Sequence, residues 1–243
     1  MSDWHLGRLV GFDLETTNPD PLTARIVTAC VVRCGGDRPT ESRSWLTDVD
    51  GEEIPEGAAA IHGVSTDRAR AEGMDPRAAV QEILDALSDA AMDGIPIVAM
   101  NARYDLTLLD REAERYGMTP LDQRRGHLRV IDPYTLDKHV DRYRPGKRTL
   151  PHLCQHYQVP LSDAHTADAD ALAACRVAWR QATRDPQLAG MSLDELHKAQ
   201  IRWAAEQAAS LQAHFRETDP QAIVEGAWPI IPRQRASEAR EDI

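Results

Sequence analysis

Short runs of apolar and β-branched residues recur along the chain between turn-forming residues, and this pattern predicts β-strands. Residues 25–33 show it most clearly, because isoleucine, valine, threonine and alanine fill most of the positions. The pattern predicts five strands in all, at residues 9–14, 25–33, 40–46, 95–99 and 128–131. The first three follow one another closely and are therefore expected to form an antiparallel meander.

Other segments repeat their apolar residues every three or four positions, which is typical of amphipathic helices. Residues 76–91 show this spacing, and further helices are predicted near residues 103–116, 149–157, 167–183 and 191–216. A meander of strands, followed by strands that alternate with helices, indicates an α/β fold built on a mixed sheet.

The composition is that of an ordinary globular chain, with 42% hydrophobic and 28% charged residues among 243. No apolar run is long enough to cross a bilayer and the first residues show no secretory signal, so we expect a cytoplasmic protein with no membrane partner. The net charge of −11 argues against a protein that coats nucleic acid. It argues less against an enzyme that grips only a strand end, because bound cations can supply positive charge there.

The four cysteines bear on the redox compartment. None of Cys30, Cys34, Cys154 and Cys175 forms a C-x-x-C pair, and no histidine cluster has zinc-finger spacing. We expect buried free thiols, in keeping with a reducing compartment.

Two carboxylates stand two residues apart at the end of the first predicted strand, at Asp13 and Glu15. Because alternate residues of a strand share a face, the two side chains should project together. Like charges in this position repel each other unless they are protonated or bridged by a cation. Taken alone, the pair also fits two solvated acids in a loop.

Two later segments carry further candidate groups. Asp105 begins a predicted helix just after a strand, where ligands collect in open α/β sheets, although an ordinary first-turn carboxylate is the alternative. His165 and Asp170 flank the start of another predicted helix. Asp168 competes with Asp170 as the acid of this segment.

Together the three segments resemble the motifs of the DEDDh exonucleases, in particular the proofreading epsilon-subunit type of bacterial DNA polymerase III. The family motif D-x-E-T occurs at residues 13–16, N-x-x-[FY]-D at 101–105 and H-x-x-x-x-D at 165–170. Each motif is weak alone, but the three stand in the family's order, and this agreement carries the resemblance.

Accessory elements extend the resemblance to about residues 7–182. Ile-His-Gly-Val at 61–64 is similar to the family's I-H-G-[IV] element, and residues 150–160 resemble its leucine-rich helix and turn. One departure is Met100, where the family often has histidine before the asparagine of the second motif. This departure affects a substrate contact and no metal ligand.

The resemblance implies a fold and an activity. The fold is the ribonuclease-H-like five-stranded mixed sheet flanked by helices, with a DEDDh exonuclease domain at residues 1–183. Residues 184–243 are expected to form a helical C-terminal extension and a mobile tail. The implied activity is metal-dependent 3′→5′ hydrolysis of phosphodiester bonds at DNA 3′ ends, which releases nucleoside 5′-monophosphates.

The resemblance also implies the catalytic site, with two divalent cations, Mg²⁺ or Mn²⁺. Asp13 would bridge both cations, Glu15 and Asp170 would complete the site of the one that activates the nucleophile, and Asp105 would support the second. His165 would act as general base, in keeping with a side chain that titrates near neutral pH. Four carboxylates without a zinc signature suit hard cations of this kind.

Substrate contacts are implied at five positions. The family holds the terminal nucleotide with groups just after the first acid, which points to Leu14, Thr16 and Thr17. His62 and Asn101 are further candidates, for the terminal nucleotide and the strand backbone. These contacts would grip a single-stranded 3′ end of DNA, or of RNA.

A basic cluster precedes the third motif, with Arg142, Arg144, Lys147 and Arg148. It would either contact phosphates or form a solvated basic loop. The helix near 191–216 has an apolar stripe that must be buried, and packing on the core is the favoured interpretation. Self-association or docking of a DNA polymerase through this helix is the alternative.

The sequence leaves three other functions open. A ribonuclease of the same fold acting on RNA 3′ ends is the first, because the motifs do not report contacts to the 2′-hydroxyl. A catalytically silent polymerase-associated adaptor is the second, although the five catalytic positions are intact. The third is an acidic structural protein in which the motifs coincide by chance.

Overall fold

The computed structural model describes residues 3–161 and 166–233 of the chain. Within this part, five strands form one sheet: β1 (Arg8–Thr16), β2 (Ile26–Gly35), β3 (Glu41–Leu46), β4 (Ile97–Val98) and β5 (Val130–Ile131). Their order is β3-β2-β1-β4-β5. The first three strands pair antiparallel, while β4 and β5 run parallel to β1. The predicted meander and the mixed sheet are both confirmed.

Helices flank this sheet, as predicted. In the described residues they are α1 (Glu56–His62), α2 (Thr66–Glu72), α3 (Pro76–Met92), α4 (Ala102–Arg115), α5 (Pro133–Val140), α6 (Leu150–Tyr157), α7 (Ala167–Arg184), α8 (Pro186–Gly190) and α9 (Leu193–Phe215). Short 3₁₀ turns occur at Trp4–Leu6, Val49–Gly51 and Leu121–Gln123. The α/β class with a C-terminal helix is therefore confirmed.

Successive side chains of β1 point to opposite faces of the sheet, and the core accordingly forms two layers, one on each face. Val10, Phe12 and Leu14 pack with the apolar residues of α3 and α4 on one face of the sheet. The apolar residues of α6 and α7 form a second cluster on the opposite face. Asp13 and Glu15 alternate with the first set, so they point toward the layer that contains α7.

Gly11 brings α7 close to β1. A Cβ atom at this position would lie 2.5 Å from the backbone oxygen of Ala171 and 2.9 Å from Cys175 Sγ. These distances are too short for any side chain, so glycine lets the helix backbone rest directly on the strand. The consequence for function is that the first turn of α7 lies beside the carboxyl end of β1.

The C-terminal helix α9 packs on the core, as the apolar stripe predicts. Leu196 and Trp203 are buried in the α7 layer. The Gln200 side chain accepts from the Asp132 N–H at 2.7 Å and donates to the Val130 oxygen at 2.9 Å, so it covers the free edge of β5.

The cysteines and the apolar content of the helices agree with the composition. The four cysteines are free and buried, as predicted. Within residues 3–161 and 166–233, no helix is both long and apolar enough to cross a bilayer. The predicted mobile tail falls largely on residues 234–243, which lie outside the described residues.

Candidate metal centre

Three of the predicted acids meet at the carboxyl end of β1. One carboxylate oxygen from each of Asp13, Glu15 and Asp170 lies within 4.8 Å of the other two. Strand alternation places the first two side by side, and α7, resting on Gly11, brings the third. Two neighbouring acids of β1 and one acid of α7, distant from them in the sequence, thus form one half-buried cluster.

Asp105 approaches the same place from the other side of the sheet. It lies buried in the first turn of α4, outside the set of three mutually close acids. Its carboxylate accepts hydrogen bonds from its own N–H and from the N–H of Leu14, and its charge acts on Asp13. Asp105 is therefore tied to the backbone of β1, immediately next to Asp13.

The crowding of these acids shows in their pKa values. Burial raises the pKa of Asp13 well above its ordinary value, and the charges of Asp105 and Asp170 raise it further. Burial, followed by the charge of Asp170, raises the pKa of Glu15 to about 7. The cluster therefore holds protons more tightly than isolated carboxylates do, unless positive charge is supplied.

A hard divalent cation fits this donor set. The ligands are carboxylate oxygens, which Mg²⁺ and Mn²⁺ prefer, and no thiolate or imidazole belongs to the set found among the described residues. A cation would also relieve the repulsion that raises the pKa values. Asp13, Glu15 and Asp170 are the residues that would hold it, with Asp105 beside them.

The structure distinguishes the two acids that compete in the third motif. Asp170 belongs to the cluster, whereas Asp168 is exposed and lines a neighbouring pocket. His165 lies outside the described residues, which resume at Thr166. The assignment of His165 as general base therefore stays a prediction.

A mainly apolar groove of about 540 Å³ begins at Glu15. Thr16, Thr17 and His62, three of the predicted substrate contacts, line it. Ile61 lines it as well, and 60% of its surface is exposed to solvent. Exposed apolar surface beside polar groups is the character of a small-molecule or nucleobase site.

Two predicted substrate contacts lie elsewhere. The side chain of Leu14 is buried in the α3 and α4 layer, so strand alternation turns it away from the groove. Asn101 is exposed and lines a different cleft, together with Tyr134 and Lys138. The structure therefore does not bring these two side chains to the groove at Glu15.

Sequence reasoning missed Tyr104, the aromatic residue of the second motif. Its hydroxyl lies 2.5 Å from Thr16 Oγ1 and 2.5 Å from the backbone oxygen of Asn18. It thereby fixes the loop that forms one wall of the groove. The family motif allows phenylalanine or tyrosine at this position. Only the presence of tyrosine, which has a hydroxyl, could have indicated these hydrogen bonds.

Half of the basic cluster before the third motif is engaged inside the protein, whereas Arg142 and Lys147 are exposed. Arg144 and Arg148 form ion pairs with Asp137, whose side chain is fully buried. Tyr157 also donates to Asp137, at 2.8 Å. These two arginines are neither solvated nor available to phosphates, because a buried carboxylate holds them.

Comparison with known proteins gives a family match. The sequence model of a family described as exonuclease, RNase_T, matches residues 10–178. Among curated proteins, no sequence match reached significance.

Solved structures give a fold match. Similar structures include exonuclease I (TM-score 0.64, 21% identity) and E. coli exonuclease I with a dT13 oligonucleotide (0.62, 20%). A third is the zinc-bound complex of E. coli exonuclease I with single-stranded DNA (0.61, 22%). Each alignment covers 75% of this chain and 42% of the other, so the chain spans less than half the length of these proteins. The likeness shows the ribonuclease-H-like exonuclease fold.

Proposed function

The chain belongs to the exonuclease family whose sequence model matches residues 10–178, and on this basis we propose that it is a metal-dependent 3′→5′ exonuclease acting on DNA 3′ ends. The observation that carries the proposal is the convergence of Asp13, Glu15 and Asp170 within 4.8 Å, with Asp105 beside them. A structural protein gains nothing from this arrangement, because the acids repel one another when no cation is bound. For the same reason, an adaptor without activity is not favoured.

The proposed site takes two divalent cations, Mg²⁺ or Mn²⁺. When bound, such a pair supplies an activated water and stabilises charge on the attacking and leaving oxygens of the phosphodiester. Asp13, Glu15 and Asp170 would hold cations directly, and Asp105, which lies beside Asp13, would support the second. The donor chemistry and the motif order support this assignment.

A general base completes the proposal. His165 takes the proton from the attacking water, since imidazole accepts protons near neutral pH without special tuning. Its support is its place in the third motif, five residues before Asp170.

The groove at Glu15 receives the nucleoside at the 3′ end. Ile61 offers apolar surface to the base, while Thr16 and Thr17 line the same groove. His62 Nδ1 accepts from the Val64 N–H at 3.2 Å, so the proton of the neutral ring is assigned to Nε2. Burial lowers the pKa of His62, which favours this neutral form.

The Nε2 atom of His62 has no hydrogen-bond partner among the described residues. A buried donor without a partner is costly unless a ligand satisfies it. This observation supports His62 as a donor to an oxygen of the terminal nucleotide.

Single-stranded DNA is the proposed substrate, with RNA as the alternative. The oligonucleotide complexes of E. coli exonuclease I support DNA, although that protein is more than twice as long as the aligned part of this chain. The resemblance of the motifs to the epsilon-subunit type supports a proofreading or repair role. On α9, Ile201, Leu211 and Phe215 are exposed and offer a surface for a DNA polymerase or a second copy of the chain.

The test uses 5′-labelled single-stranded DNA and RNA of the same sequence, incubated with Mg²⁺ or Mn²⁺. We expect a ladder that shortens from the 3′ end of the DNA, with nucleoside 5′-monophosphates as product and no digestion in EDTA. Asp170→Asn should abolish the ladder and the matched change Asp168→Asn should leave it, because only the first belongs to the cluster. Faster digestion of the RNA would favour the alternative, and digestion of neither strand would contradict the proposal.

A further inference from the structure

The segment 225–233, which we name the C-terminal strap, runs along α4, the helix that carries Asp105. The side chains of Arg103 and Arg111 donate to the backbone oxygens of Glu225 and Ile231, the second at 2.9 Å. In return, the Ile231 N–H donates to Thr107 Oγ1 at 3.0 Å. The strap is therefore attached to α4 at successive turns.

An ion pair fastens the end of the strap. Arg233 Nε lies 3.0 Å from Asp110 Oδ2, and a second guanidinium nitrogen lies 2.5 Å from Oδ1 of the same carboxylate. Asp110 is itself buried on α4. Paired contacts of an arginine with one carboxylate fix direction as well as distance.

Trp228 links the strap to the turn before α4. Its indole Nε1–H donates to Asp132 Oδ2 at 3.2 Å, and both residues are buried. Oδ1 of Asp132 accepts from the Asn101 N–H at 2.9 Å. Asn101 has left-handed backbone angles (φ 58°, ψ 48°) and is the residue from which α4 begins.

Asp132 uses its full capacity as a hydrogen-bond acceptor. The N–H of Tyr134 donates to Oδ1 and the hydroxyl of Thr135 donates to Oδ2, each at 2.9 Å. With Asn101 and Trp228, this makes four donors for one carboxylate. Removing one donor leaves a buried lone pair unsatisfied, so the carboxylate is expected to shift and to release the turn at Asn101.

We propose that Trp228 is a positioning residue for the metal centre: through Asp132 it holds the turn at Asn101 and thereby the carboxylate of Asp105. This inference rests on the proposed function, because it assumes that Asp105 supports a bound cation. Residues that hydrogen-bond to metal ligands usually affect the affinity for the metal. Trp228 acts one step further from the ligand than such a residue does.

The test is the binding of Mn²⁺ to the full chain, measured by calorimetry, in wild type and Trp228→Phe. Phenylalanine keeps an aromatic ring and removes the Nε1–H. We expect affinity to fall by about 3- to 10-fold, less than the roughly 10–100-fold typical of a direct partner of a ligand. The rate on single-stranded DNA should fall at low Mn²⁺ and recover at high Mn²⁺, while KM for the DNA stays within about twofold.

Trp4→Phe is the matched control. Trp4 and Trp228 are equally buried, with 5% and 6% of their surface exposed. The Trp4 indole N–H donates to the backbone oxygen of Leu188 at 2.9 Å. Trp4 lies just before the start of β1, at the end of the strand opposite to the acidic cluster. The control variant should lose thermal stability but keep wild-type Mn²⁺ affinity. An unchanged isotherm for Trp228→Phe, or an equal loss in Trp4→Phe, would overturn the inference.

Two further results separate the possible failures. If the wild-type chain binds no Mn²⁺, the proposed function itself fails. If Trp228→Phe does not fold, Arg233→Gln decides, because it loosens the strap from a partly exposed position. A weaker Mn²⁺ affinity in that variant supports the inference, and wild-type affinity contradicts it.

Discussion

At the scale of single residues, the site depends on acids that destabilise one another until a cation is bound. Asp13 and Glu15 project together because they are two apart in a strand, and this much the sequence predicts. The sequence does not reveal that burial and mutual repulsion raise their pKa values. It also does not reveal the contacts of Tyr104 or the four donors around Asp132, because they depend on tertiary packing.

Asp13→Asn should stabilise the metal-free protein at alkaline pH. The folded-state pKa of Asp13 is raised, so the wild type loses stability as pH rises through that value, whereas asparagine does not titrate. In EDTA at pH 8, removing a repulsion of about 1 kcal/mol should raise the melting temperature by roughly 2–4 °C for a chain of this size. At pH 5 the gain should shrink, because the wild-type cluster then holds its protons.

The measurement is thermal unfolding with and without Mn²⁺, with Asp168→Asn as the control that should change little. Mn²⁺ should stabilise the wild type and not Asp13→Asn. A variant that melts below the wild type at pH 8 in EDTA would show that the acids do not repel one another.

His165→Ala should lower the turnover rate by ~100-fold or more, the usual scale for the loss of a general base. The comparison is His214→Ala, since His214 is exposed at the end of α9. Single-turnover rates across pH 6–9 on labelled DNA measure the effect. Turnover near that of the wild type would remove His165 from the mechanism.

At the scale of elements, the spacing of apolar residues predicts the long helices. It does not predict helices that bury few apolar side chains. Helix α3 has a full stripe of buried apolar residues and was predicted almost to its ends. Helix α1 buries no residue and α2 buries only Ala69, so neither has a stripe to detect. Helix α5 buries Thr135 and Asp137 among its apolar positions, which hides its period.

The predicted short strands are shorter still in the structure, where β4 and β5 have two residues each. Their flanking residues carry the polar contacts of the site edge. Asn101 follows β4 and Asp132 follows β5, and a hydrogen bond joins them. Apolar runs indicate where such strands lie, but the pairing that ends them is a tertiary effect.

A buried ion pair joins Arg25, the residue immediately before β2, to α4 and should contribute much of the stability between these two elements. Arg25 Nε lies 2.9 Å from Glu112 Oε1, and both side chains are almost fully buried. Arg25→Met leaves the buried carboxylate of Glu112 with less neutralising positive charge. We therefore expect the free energy of unfolding, measured in urea, to fall by about 3 kcal/mol. The exposed pair of Arg68 and Glu72 is the control, and Arg68→Met should cost less than about 1 kcal/mol. Equal losses in the two variants would contradict this account.

At the scale of the whole molecule, the topology brings distant motifs to one end of the sheet. The carboxyl ends of the parallel strands β1, β4 and β5 share an edge, so the residues that follow them meet. The resemblance of the three motifs to those of the exonuclease family implied this convergence. The strap could not be predicted, because residues 225–233 form no helix or strand and show no periodicity.

The net charge of −11 gives the whole molecule little general attraction for a phosphate backbone. Arg144 and Arg148, which the sequence offered as phosphate contacts, are occupied by Asp137. Under the proposed function, cations held at the acidic cluster would supply positive charge where the strand end binds.

The most direct test of this account is anomalous diffraction from crystals of the wild-type chain soaked in Mn²⁺. The account predicts anomalous peaks within roughly 2.0–2.3 Å of carboxylate oxygens of Asp13, Glu15 and Asp170, the spacing of hard cations bound to oxygen. These peaks should vanish in Asp13→Asn crystals soaked in the same way. Mn²⁺ bound only at other acids, with the cluster empty at saturating concentration, would contradict it.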